Sequence, residues 1–259
     1  MDLQLRGKTA IVCASSQGLG LACASALAAE GANVVLNGRD ETRLSEAVSA
    51  VRAFAGGTVT GVAADIATPE GRAALLAACA APDILVNNNG GPPPRALDAI
   101  DEEAMRDAIN ANMMIPILLA QSVLPSMARR GFGRIVNITS VAVRMTVPGL
   151  AASTAARAGL TGFMAAAARH YAAQGITVNA LLPGYFATAR IDRVIEAAAE
   201  SGRTSIDSAR TAWTGQIPMG RLGDPAEFGT ACAFLCSPLA AYVTGQNILI
   251  DGGLFPGVN

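Results

Sequence analysis

Short runs of β-branched and other apolar residues alternate along this chain with longer stretches in which apolar residues recur at helical spacing. Thr9–Cys13, Asn33–Asn37, Val59–Ala63, Ile84–Asn87, Gly133–Ile138, Thr177–Leu182 and Asn247–Ile250 read as strands. Gly20–Glu30, Glu41–Phe54, Pro69–Ala80, Glu102–Arg129, Ala151–Gln174 and Pro225–Leu235 read as helices. Six of the seven strand runs are followed by a helix or a crossover, which is the signature of βαβ units and a parallel sheet. The expected fold class is α/β: one doubly wound parallel sheet of about seven strands with helices on both faces. No linker, charge block or repeat divides the chain, so residues 1–259 are expected to form a single domain. Thr188–Met219 is the least regular long stretch. It falls between a strand end and the next helix, where such a sheet carries a substrate lid, so residues 188–219 are expected to be one.

Composition narrows the picture. Apolar residues make up 51% and mean hydropathy is +0.38, enough for a large core. Charged residues are only 15%, against a usual quarter, which suggests that much helix surface is buried, in part between subunits. A net charge of −1 provides no basic field for nucleic acid or a membrane surface. No unbroken apolar run reaches the roughly 18 residues of a membrane span, and the N-terminal residues contain no apolar signal region. The expectation is a cytoplasmic protein with a small-molecule substrate and no nucleic-acid or membrane partner. The five cysteines contain no C-x-x-C pair; Cys232 and Cys236, four apart, are expected in a helical core. His170 is the only histidine and lies far from any nucleophile motif. That excludes a multi-histidine metal site and argues against a Ser-His-Asp hydrolase.

The first strand runs into Ala14-Ser15-Ser16-Gln17-Gly18-Leu19-Gly20 and then a helix. Glycines at a strand-to-helix turn let a pyrophosphate approach the backbone, where free helix N–H groups favour negative charge. The second strand ends Asn37-Gly38-Arg39. An acidic side chain here would hold the 2′-hydroxyl of NAD; Gly38 offers none, and the Arg39 guanidinium suits a 2′-phosphate. NADP(H) is therefore the expected cofactor, with NAD(H) as the alternative.

The segment Arg134-Ile-Val-Asn-Ile-Thr-Ser140, followed by Pro148-Gly-Leu-Ala-Ala-Ser153-Thr-Ala-Ala-Arg157, resembles the catalytic segment of the short-chain dehydrogenase/reductase family. There a serine ends a strand, a tyrosine follows thirteen positions later and a lysine four after that. Here Ser140 is in place, but Ser153 stands at the tyrosine position and Arg157 at the lysine position. Other motifs resemble the family in order and spacing, from about Leu5 to Gly253. The phosphate loop has Gly18 and Gly20 in register, with Ala14 at the first glycine. The resemblance implies that Asp65 meets the adenine with Ile66 behind it. It implies that Asn88 and Gly90, in Asn87-Asn-Asn89-Gly90, turn beside the cofactor ribose. Pro92, Pro93 and Pro94 are expected to stiffen the loop that follows. Asn112, 28 residues before Ser140, matches a helix asparagine that holds a water beside the catalytic lysine. Pro183, Gly184, Phe186 and Thr188 match the segment that packs on the nicotinamide carboxamide. The resemblance also implies a Rossmann-like domain and a homotetramer or dimer built through long central helices.

Carbonyl reduction needs a proton at oxygen as well as hydride at carbon. A serine hydroxyl is far less acidic than a phenol, and arginine stays protonated, so neither Ser153 nor Arg157 is a good general acid at pH 7. Four residues apart, they share a helix face and should both line the site. Arg157 can hold the ribose or act as an electrostatic donor, and Ser140 can orient a substrate oxygen. Of the three tyrosines, Tyr171 is about 21 Å along the helix from Arg157. Tyr185 is the one near the nicotinamide segment and the one candidate surrogate acid. Three readings follow: an NADPH-dependent carbonyl reductase with non-tyrosine proton delivery; a reductase of an activated C=C or C=N bond; and a catalytically silent cofactor-binding protein. The lid arginines Arg190, Arg193, Arg203 and Arg210 would suit an anionic substrate, but Asp192, Glu196, Glu200 and Asp207 lie among them, and a solvated helix face is the preferred reading.

Overall fold

In the computed structural model, which describes residues 1–91 and 93–258, one seven-stranded sheet runs in the order β3-β2-β1-β4-β5-β6-β7. The strands are β1 (Thr9–Val12), β2 (Asn33–Gly38), β3 (Val59–Ala63), β4 (Ile84–Asn87), β5 (Gly133–Ile138), β6 (Ile176–Pro183) and β7 (Asn247–Ile250), and every pairing is parallel. The α/β doubly wound expectation is met. The helices are α1 (Gly18–Ala29), α2 (Glu41–Arg52), α3 (Pro69–Ala78), α4 (Glu102–Ile109), α5 (Ile115–Arg130), α6 (Ala151–Tyr171), α7 (Ala189–Gly202), α8 (Ile206–Thr214) and α9 (Pro225–Cys236).

Alternation along each central strand divides the core in two. Ala10, Val12, Ile84, Val86 and Val136 point to the side covered by α1, α2 and α9. Ile11, Cys13, Leu85 and Ile135 point to the side covered by α3, α5 and α6. The two-residue period of a strand thus feeds both layers from one short run. Cys23, Cys232 and Cys236 are buried where α1 meets α9 and fill that contact as small apolar groups, and on the other face of the sheet burial pushes the Cys13 thiol up to about 12.

Two sequence expectations change. Glu102–Arg129 is not one regular helix: a wider turn at Asn110–Met114 separates α4 from α5. Pro116 explains it, because proline lacks the N–H for the carbonyl four residues back and its ring crowds that carbonyl. The stretch Glu102–Arg130 is also long and apolar enough to cross a membrane by composition, an 18-residue window within it averaging a hydropathy of 1.3; half of that window is buried inside the fold. Thr188–Met219, read as irregular, contains α7 and α8. Their small core of Ile191, Ile195, Ala199 and Ala209 packs with Tyr185 and Trp213. Pro92 lies outside the described residues, as does Asn259.

Candidate active site

The carboxyl ends of β1, β4, β5 and β6 open onto one cleft, at the point where the strand order reverses. At one end, the turn after β1 is drawn tightly against the exit of β4. Ala14 adopts φ +44°, the left-handed region that glycine prefers, and its carbonyl accepts from Asn88 Nδ2 at 3.0 Å. Gly18 is also left-handed, at φ +59°. At Gly20 an added Cβ would collide with the Ala14 carbonyl oxygen and lie 2.7 Å from Asn88 Nδ2, so only glycine fits. Gln17 precedes α1 without capping it through its side chain, and no acid lies in the first turn. The first N–H groups of α1 are left for a ligand, and the helix dipole favours an anion there.

Beside this turn, Gly38 sits against Ser16; a Cβ on Gly38 would be 3.0 Å from the Ser16 Cβ and Oγ. Arg39 follows at the strand end with its side chain exposed. Asp65 accepts from the Ala67 N–H at 2.9 Å, and Ile66 is buried behind it. Ser16, Gln17, Gly18, Leu19, Gly20, Arg39, Asp65 and Ile66 therefore gather at the ends of β1, β2 and β3.

The other end of the cleft is built on β5, α6 and the segment after β6. Ser140 follows β5, and its Oγ accepts from the Ala142 N–H at 3.1 Å, which leaves its own O–H to donate. Ser153 is buried in the first turn of α6. Its Oγ accepts from Arg157 Nε at 3.1 Å, so the four-residue spacing does bring the two together. Arg157 Nη1 donates to two carbonyls at the end of β5, Ile138 at 2.9 Å and Thr139 at 2.7 Å. Burial, and then the neighbouring Arg190 charge, lower the Arg157 pKa to about 10. A hydroxyl that accepts from an arginine must send its proton elsewhere, so the Ser153 O–H is available to a group in the cleft. A cavity of about 60 Å³ adjoins Ser153, lined by Pro93, Arg95, Ile100, Asp107, Gly149 and Leu150 among others.

Asn112 is buried in the wide turn before α5; its Nδ2 donates back to the Ala108 carbonyl at 3.3 Å and its Oδ1 has no protein partner among the described residues. Asn89, where the family pattern has alanine, donates to the Ala111 carbonyl in the same turn at 3.0 Å. Gly184 packs on Asp251, where a Cβ would approach to 2.8 Å, and Phe186 stacks edge-on with Phe228 at 5.3 Å. Thr188 starts α7 and lies across the cleft from Gly18; a Cβ there would be 3.8 Å from its Cγ2. The Tyr185 ring lies edge-on to Trp213, 4.7 Å between centroids, and burial raises its pKa, which makes the phenol a weaker acid. Gly90 has open space where a Cβ would be, and Gly91 next to it lies under the Arg190 guanidinium.

Arg190 was legible only as one of several lid charges. In the fold it reaches back to the β4 exit, 3.5 Å from the Gly91 carbonyl. The missed signal was its place two residues after Thr188, in the first turn of a helix, where a cation opposes the helix dipole.

A parallel sheet with this strand order, a glycine-rich turn at its switch point and a serine–helix pair across the cleft define a nicotinamide-type oxidoreductase fold. The chain belongs to the short-chain dehydrogenase/reductase family: a family model described as Enoyl-(Acyl carrier protein) reductase matches residues 13–255. Over 257 residues it is 36% identical to the 3-oxoacyl-[acyl-carrier-protein] reductase FabG of Vibrio cholerae, covering 98% of this chain and 99% of the relative. The structure superposes on L-sorbose reductase from Gluconobacter frateurii, solved with NADPH and L-sorbose, at a TM-score of 0.94 and 29% identity over the whole of both chains. It matches a single-substitution variant of actinorhodin polyketide ketoreductase, solved with NADPH, at a TM-score of 0.89 and 31% identity, covering 97% of this chain and 98% of that one.

Proposed function

We propose that this protein is an NADPH-dependent reductase that adds hydride to a carbonyl carbon and stabilises the oxygen by hydrogen bonds instead of protonating it from a tyrosine. NADPH, when bound, supplies the hydride. The cradle is suited to it: Gly20 leaves space that any Cβ would fill, the N-terminus of α1 is uncapped, and Ser16 and Arg39, on either side of Gly38, would hold a 2′-phosphate. Ala14, Gln17, Gly18 and Leu19 would bound the pyrophosphate. Asp65 and Ile66 would bound the adenine. Asn88 and Gly90 would bound the ribose. Pro183, Gly184, Phe186 and Thr188 would bound the nicotinamide.

The observation that carries the mechanism is the hydrogen bond from Arg157 to Ser153. Arg157 is anchored by two β5 carbonyls and cannot act as a proton donor of useful strength at neutral pH, since its pKa stays near 10. What it does is fix Ser153 as an acceptor, so that the Ser153 hydroxyl donates into the cleft. Ser140, held by the Ala142 N–H, supplies a second hydroxyl donor. Two oriented hydroxyls next to a cation stabilise an oxyanion without proton transfer; one such preorganised donor contributes about 2.7–4 kcal/mol in other enzymes. Water would then deliver the proton. Residues 188–219 would close over the substrate as a lid, and one chain would act as one domain within a dimer or tetramer.

The same donor set favours a second reading, reduction of an activated C=C or C=N bond. Conjugate hydride addition produces an enolate that needs an oxyanion donor at once and a proton only later, and an iminium brings its own proton. The experiment is NADPH oxidation against ketone, enone and imine panels, for the natural chain and for Ser153→Tyr combined with Arg157→Lys. The carbonyl reading expects ketone turnover that rises at least tenfold in the double variant, because a positioned general acid contributes about 10²–10⁴. Turnover of enones alone would select the second reading. An unchanged ketone rate in the double variant would show that the absent acid does not limit the reaction.

A further inference from the structure

Arg157, anchored at the end of β5, and Arg190, reaching the exit of β4, bring two positive charges to the same end of the sheet without a counter-charge. Among the described residues, neither lies within ion-pair distance of a carboxylate; the lid's Asp192 is taken by Arg210 at 3.0 Å. Arg157 spends Nε and Nη1 on Ser153 and two carbonyls, and its Nη2 donates to no protein group among the described residues. Arg157 is half-buried, and Nη2 is the one edge of its guanidinium left for a ligand. Arg190 comes from the opposite wall, and Gly91 is what lets it lie across the β4 exit: a Cβ at 91 would be 2.9 Å from both terminal nitrogens. Arg193, one turn on, adds a third positive charge, its Nε bonded to the Ala189 carbonyl.

The backbone points the same way. Thr188 makes no side-chain cap on the 14-residue α7, so the first N–H groups of that helix add positive potential where Arg190 already stands. Asp192 in the first turn, shared with Arg210, offsets part of this positive potential, and an anion beside Arg190 would offset more of it. Guanidinium groups suit an oxyanion through paired, charge-assisted N–H bonds.

We propose that Arg157 Nη2 and Arg190 bind a carboxylate carried by the substrate, so that this reductase acts on an oxo acid or an unsaturated acid, with the acid group held beside the reacting carbon. The proposal rests on the reading above that the cleft takes a reducible substrate. The pyrophosphate of the cofactor is the other oxyanion within reach. It would be matched by the uncapped α1 N-terminus near Gly18 and Thr188, whereas Arg157 stands beside Ser153, where the reacting oxygen would be stabilised.

The test measures binding, so that it can fail separately from catalysis. Acetoacetate, pyruvate and crotonate, each beside its neutral methyl ester, are titrated into NADP⁺-loaded protein by calorimetry, with NADPH affinity of the unloaded protein measured by fluorescence. In the natural chain at least one acid should bind tenfold or more tightly than its ester. Arg190→Ala should bring that ratio below threefold, Arg190→Lys should retain part of it, and NADPH affinity should change less than twofold in both. No acid preferred over its ester in the natural chain would overturn the proposal. So would an Arg190→Ala variant that keeps the acid preference or weakens NADPH tenfold; the latter assigns the pair to the cofactor. Acid binding without NADPH oxidation would leave the anion site standing and sink the reductase reading.

Discussion

The glycine-rich end of the cleft, beside α1, offers mostly backbone, and the end built on β5, α6 and α7 mostly side chains. At the first, Gly18, Gly20 and the uncapped start of α1 shape a surface whose specificity lies in what is absent: Cβ atoms and capping groups. At the second, Ser140, Ser153, Arg157 and Arg190 are held by one another and by backbone groups at the ends of β4 and β5. The difference teaches how one fold changes its reaction. A backbone cradle tolerates little substitution, because an added atom collides with main chain. A side-chain constellation can be exchanged as a pair, provided the new pair satisfies its own hydrogen bonds, as Ser153 and Arg157 do.

The comparison can be broken most severely at Gly20. Gly20→Ala places a Cβ against the Ala14 carbonyl, which belongs to rigid main chain, so NADPH binding should be lost while Arg190→Ala retains it. Fluorescence titration of both variants, with melting temperatures to confirm folding, checks this; a folded Gly20→Ala variant of natural affinity would show that the close approach is not needed. A smaller effect is expected at Arg39. Arg39→Ala should weaken NADPH by about tenfold to a hundredfold and leave NADH unchanged, since a charge-assisted bond contributes roughly 1.5–3 kcal/mol. Equal losses for both cofactors would remove the 2′-phosphate assignment. The smallest concerns Ala14, which holds a left-handed φ at a cost of about 1–2 kcal/mol. Ala14→Gly removes that cost but frees the unfolded chain by roughly 0.4–1 kcal/mol, so a net gain of about 0.5–1 kcal/mol is expected in denaturant unfolding. A destabilised variant would mean the Ala14 methyl packs better than its backbone suffers.

Much of the fold was legible because its signals are local. Each strand run was found within a residue or two: the central strands, buried on both faces, are mostly apolar along their length, and edge strand β3, exposed over much of its length, was marked by Val59, Thr60 and Val62. The pairing of Ser153 with Arg157 was also legible, because four residues on a helix is a local distance. The break at Asn110–Met114 was not read, although Pro116 announced it: a long apolar helical pattern outweighed one proline. The segment 188–219 was read as irregular because its mixed charges obscured the stripe of Ile191, Ile195 and Ala199 that α7 buries. Tyr185, entertained as an acid from its place in the chain, turned out to be packed on Trp213 of α8.

The sequence by itself determined the layer architecture, the order of βα units and which positions depart from the family pattern, all of which follow from periodicity and spacing along the chain. Tertiary structure alone decided which departures matter. Gly91 and Arg190 are 99 residues apart, and Arg157 belongs to a third element. Their placement at one end of the sheet depends on how β4, α6 and α7 leave it. Charge is a property of a residue, but an unbalanced charge is a property of a place.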